Sequence, residues 1–134
     1  MRKLFVLTML GLLTSNPAFA LDYLCKVRDI GNGFISDTVG LRFEPGASTG
    51  VVFDGVIRIV HEEPISVKLK DRGNNRYRFT YRINNFPATP SPVDINYRIE
   101  LDTSKNTISV RGLITGVENS ILGKGTCEQK RWTP

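Results

Sequence analysis

The stretch Arg76-Tyr77-Arg78-Phe79-Thr80-Tyr81-Arg82-Ile83 decides the fold class. Side chains alternate across a strand, so Tyr77, Phe79, Tyr81 and Ile83 share one face while Arg76, Arg78, Thr80 and Arg82 share the other. Aromatic and β-branched residues suit a pleated, half-buried surface, and no helical period fits the run. It reads as a strand with an aromatic inner face and a basic outer one. The rest of the chain reads as further strands placed around it.

Working outward, Ile65, Val67 and Leu69 alternate with Ser66, Lys68 and Lys70, and the polar run 71–75 turns that strand into 76–83. On the other side, Pro87, Pro90 and Pro92 forbid a central strand and stiffen a loop over 84–92. Ile95, Tyr97, Ile99 and Leu101 then alternate with Asn96, Arg98, Glu100 and Asp102. A short turn at 103–106 leads to a strand over 107–115 in which Gly112 is expected to mark a bend or bulge. The last strand runs to Cys127, with Gly123 and Gly125 leaving room for close packing.

Towards the N-terminus, Tyr23, Cys25 and Val27 alternate through a strand over 22–29, and a Gly/Asn turn follows at 30–33. Residues 34–35 and 39–44 form a second strand broken near Asp37. Residues 51–53 and 56–60 read as two short strands joined by a hairpin at Asp54-Gly55, or as one interrupted strand. Roughly seven to nine short strands, with turn signals about every 8 to 12 residues and no helix, indicate an all-β fold. A small single-domain antiparallel β-barrel, lipocalin- or calycin-like in size, is expected ahead of a β-sandwich, because a disulfide between Cys25 and Cys127 would make the terminal strands neighbours and so help remove exposed strand edges.

Arg2 and Lys3 precede an apolar run over 4–13, and Ala18-Phe19-Ala20 supplies small residues at a cleavage site, so residues 1–20 read as a signal peptide cut after Ala20. The domain is then 21–134, exported to the periplasm or secreted. An apolar run of about ten residues is too short to span a bilayer, and no later segment approaches the ~20 residues a transmembrane helix needs. The formal charge falls from +5 for the whole chain to +3 once Arg2 and Lys3 are removed. That surplus lacks the clustered Lys and Arg of a nucleic-acid binder.

The chain has two cysteines, Cys25 and Cys127. In an exported protein an even pair is read as a disulfide, here one that ties the terminal strands together. Their spacing and the lack of neighbouring histidines do not suit a metal site, and neither a metal nor a cofactor is expected.

No reaction is legible. His61 is the sole histidine and lacks the second ligand of a zinc protease. No Ser stands in a nucleophile elbow. Glu100 and Asp102 point to solvent, where carboxylates have no acid/base advantage at neutral pH. An enzyme is not expected.

The feature with most chemical content is an outer row of Arg76, Arg78 and Arg82, joined by Arg98 and Arg111 if the three strands are neighbours. Guanidinium groups bind carboxylate or phosphate through two parallel hydrogen bonds, so such a patch suits an acidic partner. The alternative is cross-strand pairing with Glu100 and Asp102 on a wet face. Phe86, in the proline-rich loop, is a second candidate contact, unless it tucks over one end of the core.

Tyr23-Leu24-Cys25 near the start and a cysteine near the end resemble the membrane-bound lysozyme inhibitor group and other small bacterial envelope barrels. The resemblance covers the two ends, and no inhibitory residue carries across between them. The arginine row and the rigid loop carrying Phe86 point to an exported, non-enzymatic binding module that recognises an acidic protein, glycan or envelope component. The alternatives are a carrier holding a small apolar ligand in a hollow barrel and a structural envelope protein.

Overall fold

The structure is a computed structural model that describes residues 20–29 and 33–134. The expected signal peptide, apart from Ala20, and residues 30–32 of the first expected turn lie outside the described residues.

The alternation in 76–83 is realised over a longer strand, β5 (Arg76–Phe86), in which Tyr77, Phe79 and Ile83 are buried and Arg76 and Arg82 exposed. The other strands are β1 (Leu21–Asp29), β2 (Thr38–Phe43), β3 (Thr49–Asp54), β4 (Ile65–Asp71), β6 (Val93–Asp102), β7 (Thr107–Ile114) and β8 (Ser120–Gln129), with burial running on through consecutive residues in β2 and β3. Each pairs antiparallel with its sequence neighbours, and β8 returns to β1, closing an eight-stranded barrel. Their inward side chains meet in one continuous cluster, with Phe79, Leu41, Ile83, Ile95 and Ile99 almost completely buried. Cys25 and Cys127 stand directly opposite each other in the β1–β8 pairing and are joined by a disulfide, so the closing seam is also covalently tied.

Residues 56–60, expected as a strand, instead belong to a short helix, α1 (Gly55–His61). Asp54 explains the difference. It lies in extended conformation, and its Oδ1 accepts the Ile57 N–H at 2.8 Å, which makes it a helix N-cap rather than the first half of a hairpin turn. Val56 and Ile57 are both buried although adjacent, and Val60 is half-buried one turn on, as one side of a helix laid against the barrel allows. Arg58 and His61 occupy the last turn, where positive charge suits the helix C-terminus. The helix packs against β3 and β5.

Gly112 does not mark a bulge, because the register runs unbroken through it on both sides, opposite Tyr97 and Ile121. A Cβ at this position would come within 2.7 Å of the Ile121 side chain, so the glycine makes room for a neighbour. The register shift falls instead on β5, between Ile83 and Phe86, where Asn85 takes a positive φ of 56°.

After β8 the chain turns back along the outside of β2. Lys130 donates its N–H to the Asp22 carbonyl at 3.0 Å. The buried Trp132 ring lies over Gly40 and stacks on Phe53, with centroids 6.4 Å apart. Its indole N–H donates to the Leu41 carbonyl at 2.9 Å. Arg42 covers the ring at 4.5 Å, binds both carboxylate oxygens of Asp22 at 2.8 and 3.0 Å, and donates to the Trp132 carbonyl.

Asp54 is the only polar or charged residue among the buried described ones, at 6% exposure. Desolvation pushes its carboxyl above the ordinary 3.8, against the lowering effect of the helix N–H groups. Nearby, the Tyr81 hydroxyl is buried outside the geometry of any full hydrogen bond, and it and Asp54 perturb each other's ionisation. Burial, with the Asp54 charge adding to it, raises the Tyr81 phenol well above 10.0.

A carboxyl whose pKa is raised by folding is protonated more readily in the native state. The native state therefore gains stability as pH falls from above that raised value towards 3.8, and gains nothing more below it. Asp54→Asn keeps the cap acceptor and is expected to remove this pH dependence. Asp54→Ala loses the acceptor and is expected to cost about 1–2 kcal/mol. Urea titrations of both variants between neutral and acid pH check the pair, and a D54N protein that keeps the wild-type pH slope would rule the assignment out.

Candidate functional site

The barrel places β5, β6 and β7 side by side, as the arginine row requires, but the five arginines do not behave alike. Arg78 faces Glu100 across β5–β6 and is ion-paired to it, and Arg72 reaches the same carboxylate at 3.3 Å. Arg82 binds Asp94 at 3.1 Å and also Asn84 and Asn96. Arg76 is exposed and opposite Asp102. Arg78 and Arg82 are thus charge-paired, exposed pairs contributing about 0–1 kcal/mol each, whereas Arg76 has no ion pair among the described residues.

Arg98 and Arg111 differ. They are exposed, directly opposite each other across β6–β7, and neither has an ion-pair partner among the described residues. The rung they share continues through Thr80 on β5 to Lys68 on β4, which is also exposed and unpaired among the described residues. Three cations therefore stand in one line across four strands with only a threonine between them.

The line crosses a concavity of about 670 Å³ that is lined by Ser66, Lys68, Thr80, Asn96, Arg98 and Arg111, with Leu113 and Ser120 at the β7–β8 side and with Val67, Tyr81 and Tyr97 also bordering it. The backbone explains the hollow. The β4–β5 ladder ends at Lys68↔Thr80, while β5 runs on to Phe86 and β4 begins at Ile65, so the two strands part at this point. Ser66 pairs only with Val51 of β3, and β5 beyond Thr80 only with β6.

Phe86 lies outside this site. It is half-buried and meets Phe34 edge-to-face, with centroids 5.7 Å apart, as part of the packing around the core. Phe86 is the last residue of β5 rather than a member of the proline-rich loop as expected, and it offers no free aromatic contact. His61 is exposed at the end of α1. Among the described residues no three His, Cys, Asp or Glu side chains gather as a metal-binding set, and no helix is long and apolar enough to cross a membrane.

Lys68, Asn96 and Ser120 were not singled out by the sequence pattern, since each is only one polar member of an alternating strand. Register was the missing signal. The turn closed by Asp102↔Thr107 sets Arg98 against Arg111, and the turn between β4 and β5 sets Lys68 against Thr80. Comparison of the chain with protein-family models, with curated proteins and with solved structures finds no match in any of the three.

Proposed function

We propose that this chain is an exported, non-enzymatic binding module, and that it recognises an anionic partner through Lys68, Arg98 and Arg111 on the outer wall of the barrel. The observation that carries the proposal is the direct opposition of Arg98 and Arg111 with no carboxylate bonded to either among the described residues. Like charges opposite one another in a sheet oppose folding, so the arrangement works against stability unless an anion sits between them. Export is supported by the leader-like residues 1–20 and by the disulfide. Surface recognition is favoured over internal carriage by the inward side chains, which already pack against one another where a carried ligand would have to lie.

Two measurements test the proposal. Recovery of bound material from an envelope extract is expected to fall for Lys68→Ser/Arg98→Ser/Arg111→Ser and to persist for Arg76→Ser/Arg78→Ser/Arg82→Ser. Equal recovery by both triple variants would remove the site. In the absence of partner, Arg111→Ser is expected to raise the unfolding free energy by about 0.2–1 kcal/mol, because it relieves the opposed charges. Denaturant titration at low salt reads this directly, and a clear loss of stability would show that Arg111 is structural.

A further inference from the structure

We infer that the occupant of this groove is an oligosaccharide carrying an oxyanion, with the acid group held between Arg98 and Arg111 and the sugar hydroxyls met by Ser66, Thr80, Asn96 and Ser120. This rests on the anion-binding proposal above and goes further by naming the class of ligand.

Shape is the first reason. A concavity of about 670 Å³ falls within the range of sites that enclose small ligands. A protein partner needs a broad patch of roughly 800 Å² on each side, centred on apolar or aromatic anchors. Leu113, at 46% exposure, is the one exposed large hydrophobic residue in the lining, since Val67 and Tyr97 are buried and Tyr81 half-buried, and Ile59 and Val117 lie outside it.

The neutral part of the lining is the second. Serine and threonine hydroxyls and the asparagine amide each donate and accept, which matches the mixed donor and acceptor character of sugar hydroxyls.

Spacing is the third. Directly opposite residues in a sheet hold their Cβ atoms about 4.5–5.5 Å apart, so the two guanidinium groups can clamp one carboxylate, phosphate or sulfate from both sides. Lys68 lies two strands from Arg98 along the same rung, roughly 10 Å away, and is placed to meet a second acid group further along a chain. No carboxylate interrupts the lining.

The test is a titration of the ¹⁵N-labelled mature protein with four probes: an oligogalacturonate, a phosphomannan fragment, a neutral mannan fragment and a hexaglutamate peptide. Saturable binding of the carboxylate or the phosphate saccharide is expected, with amide shifts centred on Thr80, Asn96, Arg98, Arg111 and Ser120. The comparison of these two arms identifies the acid group. Arg98→Ser or Arg111→Ser is expected to weaken binding about tenfold or more. Asn96→Ala and Ser120→Ala should weaken the saccharide arm and leave hexaglutamate unchanged. Hexaglutamate binding as tightly as either saccharide at the same residues would overturn the saccharide inference and leave the anion-binding proposal standing. Equal binding of the neutral fragment would overturn the role given to the arginines. No binding by any probe would overturn both. The thermal midpoint of each variant, expected at or above that of the wild type, confirms that an observed loss is not unfolding.

Discussion

Replacing Cys25 and Cys127 together is expected to cost about 4–5 kcal/mol of stability, the largest effect of any change considered for this protein. The bond closes a loop with a sequence separation of 102 residues, so in the chain-entropy description its main action is to restrict the unfolded chain. The bond also has a topological role, because β1 and β8 are the pair whose union turns an open sheet into a barrel. Both cysteines are buried, and serine would add unpartnered hydroxyls to the core. The alanine pair isolates the cross-link from that penalty. A domain of this size typically has roughly 5–15 kcal/mol in all, so the alanine pair should melt on the order of 20 °C lower than the oxidised protein. Differential scanning calorimetry of wild type with and without reductant should reproduce most of the same drop. Coincident transitions for oxidised and reduced protein would contradict this account.

The barrel was legible where alternation was strict. In 76–83, 95–101 and, Leu113 apart, 107–114 the apolar set is on one face, and that face is the buried one in β5, β6 and β7. Closure was legible from the position of the cysteines, because a disulfide between the first and last strands requires them to be neighbours. Residues 56–60 misled because composition and pattern disagreed. Valine and isoleucine favour strands, yet the Asp54 side chain caps a helix by a bond that spans three residues, and both Val56 and Ile57 are buried in it.

The arginine patch was half legible for a related reason. Alternation tells which residues face outward, and only register tells which face one another. Arg78 and Arg82 meet Glu100 and Asp94, whereas Arg98 meets Arg111. Counting back from the tight turn at 103–106 would have exposed that opposition. Trp132 had no such route, since it follows the last strand, belongs to no periodic pattern and finds its place only because Gly40 lacks a side chain.

The second large effect concerns that pair. Trp132→Ala is expected to cost about 3–5 kcal/mol, the usual range for removing a buried tryptophan. Here the change leaves the Leu41 carbonyl without its indole donor, uncovers the outward face of Phe53 and takes away the surface on which Arg42 rests. Gly40→Ala approaches the same contact from the other side. Its Cβ would stand 2.8 Å from the Trp132 ring, so either the tail lifts or β2 shifts, at a cost of about 1–3 kcal/mol. The two changes should not add. Once the indole is absent, an alanine at Gly40 meets nothing that resists it, and alanine is better than glycine inside a strand by about 0.5–1 kcal/mol. In the Trp132→Ala background Gly40→Ala is therefore expected to be neutral or stabilising, which makes the coupling energy of the cycle as large as the Gly40→Ala effect itself. Because Trp132 is the sole tryptophan, fluorescence follows its undocking in wild type and in Gly40→Ala. Far-UV circular dichroism must carry the Trp132→Ala arms. Strict additivity would mean that the tail is not seated on Gly40, and that the glycine is required by something within β2 and β3 alone.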